Sequence, residues 1–188
     1  DGTADVAQAW VERFPARLRV LSEPRPGKAY AMQRGMAAAQ GEYFCIVDDD
    51  NILEPDYLES GESFLESHPG VGLIGGRTFP RFPEGVTPPE DFETRFAPLL
   101  ACRDRVDRLI WDVVPPGAGQ MGRTHVMRGI YDHIGTRLED RVGNGVGCCE
   151  DLEKGQIAQR LGWRTAHAPE LRLHHVMSER RLTDDYID

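Results

Sequence analysis

The spacing of apolar residues changes period along the chain, and the changes divide it into alternating helices and strands. Asp1-Gly2-Thr3-Ala4-Asp5 reads as a turn of the kind that follows a strand. Beyond it Val6, Ala9, Trp10 and Phe14 recur at helical spacing, with Asp5 placed to cap the N-terminus. Leu18 to Leu21 is a short strand, Pro24-Arg25-Pro26-Gly27 breaks the chain, and Ala29 to Ala39 is a helix stopped by Gly41. Tyr43 to Val47 is an unbroken apolar run of strand length, as expected of a strand covered on both faces. Pro55 suits the first turn of a helix that carries Tyr57, Leu58, Phe64 and Leu65 and closes near Pro69-Gly70. Val71 to Ile74 is another strand, followed by Gly75-Gly76.

Residues 78–92 are Pro-rich and predict a long surface loop, followed by a helical stretch from Phe92 to Val106. The loop Pro115-Pro116-Gly117-Ala118-Gly119 opens a second half. There a helix from Glu150 to Leu161, with Leu152, Ile157 and Leu161 on its inner face, lies between the Gly-rich Gly143 to Gly147 and the strand-like Leu171-Arg172-Leu173. Alternating strands and helices predict an α/β fold, a mostly parallel central sheet flanked by helices.

Bulk composition narrows the function classes. The 188 residues, 40% hydrophobic and 28% charged, are those of a single folded domain with a real core. A formal charge of −9 argues against nucleic acid, which needs a basic face, and means that an anionic substrate must be met by a local device such as a metal or a helix N-terminus. No apolar run approaches the ~18 residues that span a bilayer. Cys45, Cys102 and the adjacent Cys148-Cys149 do not form a disulfide framework, so the reading is a cytoplasmic protein. A membrane surface stays open as its workplace, through parts outside this chain.

Four features are candidates for chemistry. Asp48-Asp49-Asp50 stands at the carboxyl end of a buried strand, where open α/β sheets bind ligands. Three adjacent carboxylates repel one another, and Mg2+ or Mn2+ suits such oxygen donors; a solvated acidic turn is the plainer alternative. Gly27-Lys28 leads into a helix but fails the Walker A spacing, because Ser22 and Ala29 stand where Gly and Ser or Thr belong. Glu150-Asp151 opens a helix: either acid suits a general base, and both equally suit the helix dipole. His174-His175 ends a strand and gains meaning as a metal ligand only if the fold returns it to the acidic cluster.

Taken together and in this order, the motifs resemble the family 2 glycosyltransferases of the GT-A fold. The matching residues are Asp1-Gly2-Thr3-Ala4-Asp5, Gly27-Lys28-Ala29, Gly41-Glu42-Tyr43, Asp48-x-Asp50 with Pro55-Asp56-Tyr57-Leu58, and Pro116-Gly117-Ala118-Gly119 with Met121. Glu150-Asp151 with Arg160-Leu161-Gly162, and His175 with Arg181-Leu182-Thr183 and Tyr186, complete the series. The sequence departs from the family's pattern at Gln33, where Asn is common, and lacks the family's first strand ahead of Asp1. The expectation is therefore one GT-A domain over 1–188, truncated at both ends, with residues 1–114 as the nucleotide-sugar half and 115–188 as the acceptor half.

The resemblance implies an inverting, metal-dependent transfer from a nucleoside-diphosphate sugar, by default a uridine diphosphate sugar, to a hydroxyl of a glycan or lipid-linked acceptor. It assigns Asp1, Lys28, Asp48 and Asp49, with the Gly117-Ala118-Gly119 loop, to the nucleotide-sugar. It assigns Asp50, with Asp48 and His175, to Mn2+ or Mg2+, and Asp151, or Glu150 in its place, to the base. Polysaccharide or cell-envelope synthesis, with peripheral association at the inner face of a membrane, is the setting it suggests. A sugar nucleotidyltransferase and a non-catalytic sugar- or nucleotide-binding module are the competing classes. Released nucleoside diphosphate, pyrophosphate or neither separates the three.

Overall fold

Two helices precede the first strand in a computed structural model of the chain, which describes residues 2–15, 17–134 and 150–183. They are α1 (Thr3–Arg13) and α2 (Lys28–Ala38). The strands are β1 (Tyr43–Cys45), β2 (Asn51–Leu53), β3 (Val71–Arg81), β4 (Ile110–Trp111), β5 (Met121–Arg123) and β6 (Arg164–Val176). Their spatial order is β1-β5-β3-β6-β2, with β4 pairing β6 off that path. Between them in the chain come α3 (Tyr57–Ser67), α4 (Thr124–Ile134) and α5 (Glu150–Arg160).

The expected α/β architecture, a sheet flanked by helices, is what forms. Its strands are less parallel than the expectation: among the described residues β3 and β6 are the parallel pair, and the other pairings are antiparallel. Parallel neighbours need a long, usually helical crossover. The path from β3 to β6 has one through α4 and α5, whereas β5 is reached from β3 without an α-helix.

Alternation along β3 sends Leu73 to one face and Ile74 to the other. On the Leu73 face, Phe44 and Ile46 meet Met36 of α2, Val126, Met127 and Ile130 of α4, and Ile157 and Ala158 of α5. On the Ile74 face, Tyr57, Phe64 and Leu65 of α3 pack on Met121, Ala166, Leu171 and Leu173. Leu65, Leu73 and Ile74 are fully buried, and each such side chain contributes about 1.5–3 kcal/mol relative to exposure. A third cluster, Phe92, Phe96, Leu100 and Met177, closes over the far end of β6.

Several local expectations change. The residue preceding α1 is Gly2, so Asp5 lies in the first turn and caps nothing. Residues 18–21 form no strand, because no described strand lies alongside to complete a ladder, and Leu18, Val20 and Leu21 are exposed. β3 runs on to Arg81 and consumes the start of the expected loop. The helix expected from Phe92 to Val106 is a single π-helical turn, Phe92–Phe96, followed by turns. The buried face of α5 carries Glu150, Lys154, Gly155, Ile157 and Ala158, while Leu152 and Leu161 point outward. Among the described residues no helix is long and apolar enough to cross a membrane.

Candidate active site

The acidic turn is made where β1 leaves the sheet and the chain reverses into β2, with the Asn51 N–H donating to the Asp48 carbonyl at 3.0 Å. β2 then pairs antiparallel with β6, setting Asn51 opposite His175 and Ile52 opposite His174. This pairing returns the strand-end histidines to the carboxylates, and the Val176 N–H seals the corner on the Asp50 carbonyl at 2.8 Å. His174 turns to Glu54, 2.8 Å away, and takes no part in the cluster.

Lys28, the first residue of α2, reaches the same turn: its Nζ lies 2.9 Å from Asp48 Oδ1 and 3.2 Å from Oδ2. Burial works against the ammonium charge. The Asp48 carboxylate, by charge and hydrogen bond, overcomes it, with Asp151 and Glu150 adding to the effect, so the Lys28 pKa is raised. The same field ties the acidic turn to the start of α5. Asp49 is exposed and makes neither the Lys28 nor the His175 contact.

Asp50 sits in a tighter arrangement. Its Oδ1 accepts from Asn51 Nδ2 at 3.0 Å, and its Oδ2 lies 2.7 Å from Arg181 Nη1 and 3.4 Å from His175 Nε2. His175 Nδ1 is 2.9 Å from the Leu100 carbonyl, which can only accept, so Nδ1 carries the hydrogen. Arginine can only donate, so the 2.8 Å contact from Arg181 Nη1 leaves Nε2 as the acceptor. One carboxylate oxygen and one imidazole lone pair thus converge on a spot where a cation already stands.

Those two donors fit a hard divalent cation that takes its remaining ligands from water and substrate phosphates. Among the described residues, however, no group of three or more His, Cys, Asp or Glu side chains is arranged to hold a metal ion. Asp48, expected to share the metal, is engaged by Lys28 instead.

The Gly-rich candidates lie in the loop ahead of β5. Tyr57, fully buried, donates to the Gly119 carbonyl at 2.6 Å. Gly119 has φ 68, and a Cβ there would collide with Leu173 and the Tyr57 hydroxyl. The Gly117 N–H donates to Asp151 Oδ2 at 2.7 Å, and a Cβ on Gly117 would lie 2.6 Å from Asp151 Oδ1. Gln120, buried beside them, donates through Nε2 to the Pro115 carbonyl at 3.2 Å. Ala118 is buried within the loop.

The two adjacent acids differ sharply. Glu150 is inside, 2.7 Å from the Nζ of Lys154, with side-chain exposures of 8% and 1%. Asp151 Oδ1 is 3.4 Å from the same Nζ, yet its side chain keeps 35% exposure. Neither Lys154 nor the tyrosine brace was visible in the motifs. Asp1, the Gly143 to Gly147 loop, Cys148, Cys149 and Tyr186 lie outside the described residues.

Comparison with known proteins gives this arrangement a context. The family model described as glycosyltransferase like family 2 matches residues 1–185. A glucosyl-dolichyl phosphate glucuronosyltransferase of Haloferax volcanii is 29% identical over 79 residues, 42% of this chain and 25% of that protein. The mannosyltransferase PcManGT from Pyrobaculum calidifontis, solved with GDP-Man and Mn2+, superposes with a TM-score of 0.62 at 22% identity, over 97% of this chain and 46% of that one. TarS of S. aureus, solved with UDP-GlcNAc, gives a TM-score of 0.53 at 17% identity, over 95% of this chain and 47% of that one. The match thus spans a quarter of the curated relative and about half of each solved chain. At these identities the structural likeness is one of fold.

Proposed function

We infer the activity from one premise, that the chain belongs to the glycosyltransferase like family 2: it moves a sugar from a nucleoside-diphosphate sugar to an acceptor hydroxyl, with Asp151 as the general base. What carries the choice of base is the contrast between the two acids. Glu150 is consumed by a buried ion pair, whereas Asp151 is partly open and has its carboxylate oriented by the Gly117 N–H.

The roles follow from position. Lys28 and Asp48 hold the nucleotide side of the donor, with Asp1 contacting the nucleobase as the family's pattern implies. The Gly117 to Gly119 loop lines the sugar pocket next to Asp151. Asp50 and His175 are the residues to hold Mn2+ or Mg2+, which when bound neutralises charge growing on the leaving diphosphate. Asp151 takes the proton of the acceptor hydroxyl as that oxygen bonds to the anomeric carbon. The bond from that carbon to the diphosphate oxygen breaks, and the nucleoside diphosphate carries the electron pair away. One displacement inverts the carbon, and one base suffices.

Uridine diphosphate is the first nucleotide to test and guanosine diphosphate the second, since the two solved neighbours hold one each. The acceptor is a glycan or a lipid-linked glycan, reached at the cytoplasmic face of a membrane to which the protein binds peripherally. Residues 1–114 form the donor half and 115–188 the acceptor half of one domain.

Release of nucleoside diphosphate during transfer tests the reading. Asp151→Asn is expected to lower the rate about 10²–10⁴-fold, the usual weight of a general base, while calorimetry finds nucleotide affinity retained. Asp50→Ala should instead remove metal-dependent nucleotide binding. Equal losses of binding in both variants would overturn this division of roles.

A further inference from the structure

The Arg181 guanidinium occupies the point on which Asp50 Oδ2 and His175 Nε2 converge, at 2.7 and 2.8 Å. We propose that Arg181 is a built-in competitor for the divalent cation, filling its place between Asp50 and His175 until metal binding displaces it. The inference rests on the reading of Asp50 and His175 as metal ligands.

Three observations carry it. The imidazole cannot swing away from the contact, because its Nδ1–H is committed to the Leu100 carbonyl at 2.9 Å and the ring is buried. A cation entering between the two donors therefore meets Arg181, not an empty corner. Arg181 itself has somewhere to go. It sits on a 3₁₀ turn, Glu179–Leu182, with no buried residues, and its side chain is 26% exposed. Finally, a guanidinium is a permanent cation, so it competes for the same two donors as the metal ion, one charge against two.

The consequence is a toll on free metal. A site whose competent form is only partly populated binds with an affinity reduced by that fraction. Asp50 meanwhile never faces its neighbours as a bare carboxylate. A purely structural ion pair predicts something different, because removing Arg181 would then loosen the corner and leave metal affinity unchanged or weaker.

The test is Mn2+ binding without nucleotide, followed by electron paramagnetic resonance of the free ion, on the full-length wild type, Arg181→Gln, Arg181→Lys and Asp50→Ala. Arg181→Gln should bind Mn2+ about tenfold tighter than wild type, the scale of losing one charge-assisted competitor contact. Arg181→Lys, which keeps the charge but loses the planar fork, should fall between them. Asp50→Ala should lose the site. Circular dichroism checks folding, and Arg181→Lys carries the same comparison if the Gln variant does not fold. Binding by both Arg181 variants equal to or weaker than wild type overturns the competitor and leaves the metal reading standing. No Mn2+ binding by any variant, even with a nucleoside diphosphate present, overturns both.

Discussion

Lys154 carries an ammonium with a side chain 1% exposed, held by Glu150 from one turn earlier on α5. Desolvating such a pair offsets much of its attraction, but removing one partner leaves a lone charge inside. Lys154→Met is therefore expected to destabilise the fold by about 3–5 kcal/mol in urea denaturation. The Glu150→Gln, Lys154→Met double variant should recover a large part of that loss, and a strongly non-additive cycle is the signature. Thiols give a second expectation at this scale. Burial pushes both Cys45 and Cys102 up to about 12, with Asp104 and then Glu93 adding to the shift at Cys102. Since the thiolate is the reactive form, mass mapping at pH 7.5 should find both sites slow to alkylate in the folded protein and fast in urea.

Among the elements, the loop ahead of β5 depends on α3 for its shape. Tyr57→Phe removes the hydroxyl from the Gly119 carbonyl and is expected to cost about 1 kcal/mol of stability, with a raised KM for the nucleotide sugar. α1 behaves oppositely. Its Val6 and Trp10, and Phe14 just after it, are 63%, 46% and 46% exposed, so polar substitutions there should stay within about 0.5 kcal/mol of wild type by thermal melting.

The same elements mark what a linear reading can see. A strand before the acidic turn is legible because both signals are local, but β1 ends at Cys45 and Val47 is exposed, so the apolar run from Tyr43 to Val47 is not a strand covered throughout. Residues 18–21 have a strand's composition, but a strand exists only with a ladder partner, which composition does not supply. The phase of α5 differs from the expected one, because Leu152 and Leu161 are outside. The helix buries the i, i+4, i+7, i+8 row from Glu150 through Lys154 to Ala158 instead. A lysine almost never lies fully buried unless paired, so an apolar pattern gives no sign of Lys154 inside. The meeting of Asp50 with His175 needed the β2–β6 pairing, which joins segments about 120 residues apart. Arg181 belongs to a motif in the sequence, yet its contacts with both depend on that same meeting.

At the scale of the whole molecule, acid should weaken the fold through His167. It is buried on β6, with Nε2 against the Val106 carbonyl at 2.8 Å, and burial lowers its pKa, Arg103 and Arg77 acting the same way. A folded pKa below the unfolded value, about 6.5, means the unfolded chain takes up the proton first. Its stabilising contribution is then present above that value and is lost as pH falls through the folded pKa. Melting temperatures at pH 7 and pH 5 should show the fall, and His167→Gln should reduce the difference between them.

The pairing of β3 with β6 also decides the order in which a growing chain becomes safe. β3 begins with the buried run Val71-Gly72-Leu73-Ile74 and has β5 on one side and β6 on the other. Until synthesis passes Arg164, one edge of that apolar strand has no neighbour, and an open hydrophobic edge is a template for other chains. Closure across so long a loop is slow as well as late. On the ribosome, the chain should therefore need chaperone cover from the emergence of β3 until β6 arrives, and versions stopped before residue 164 should collect as aggregates.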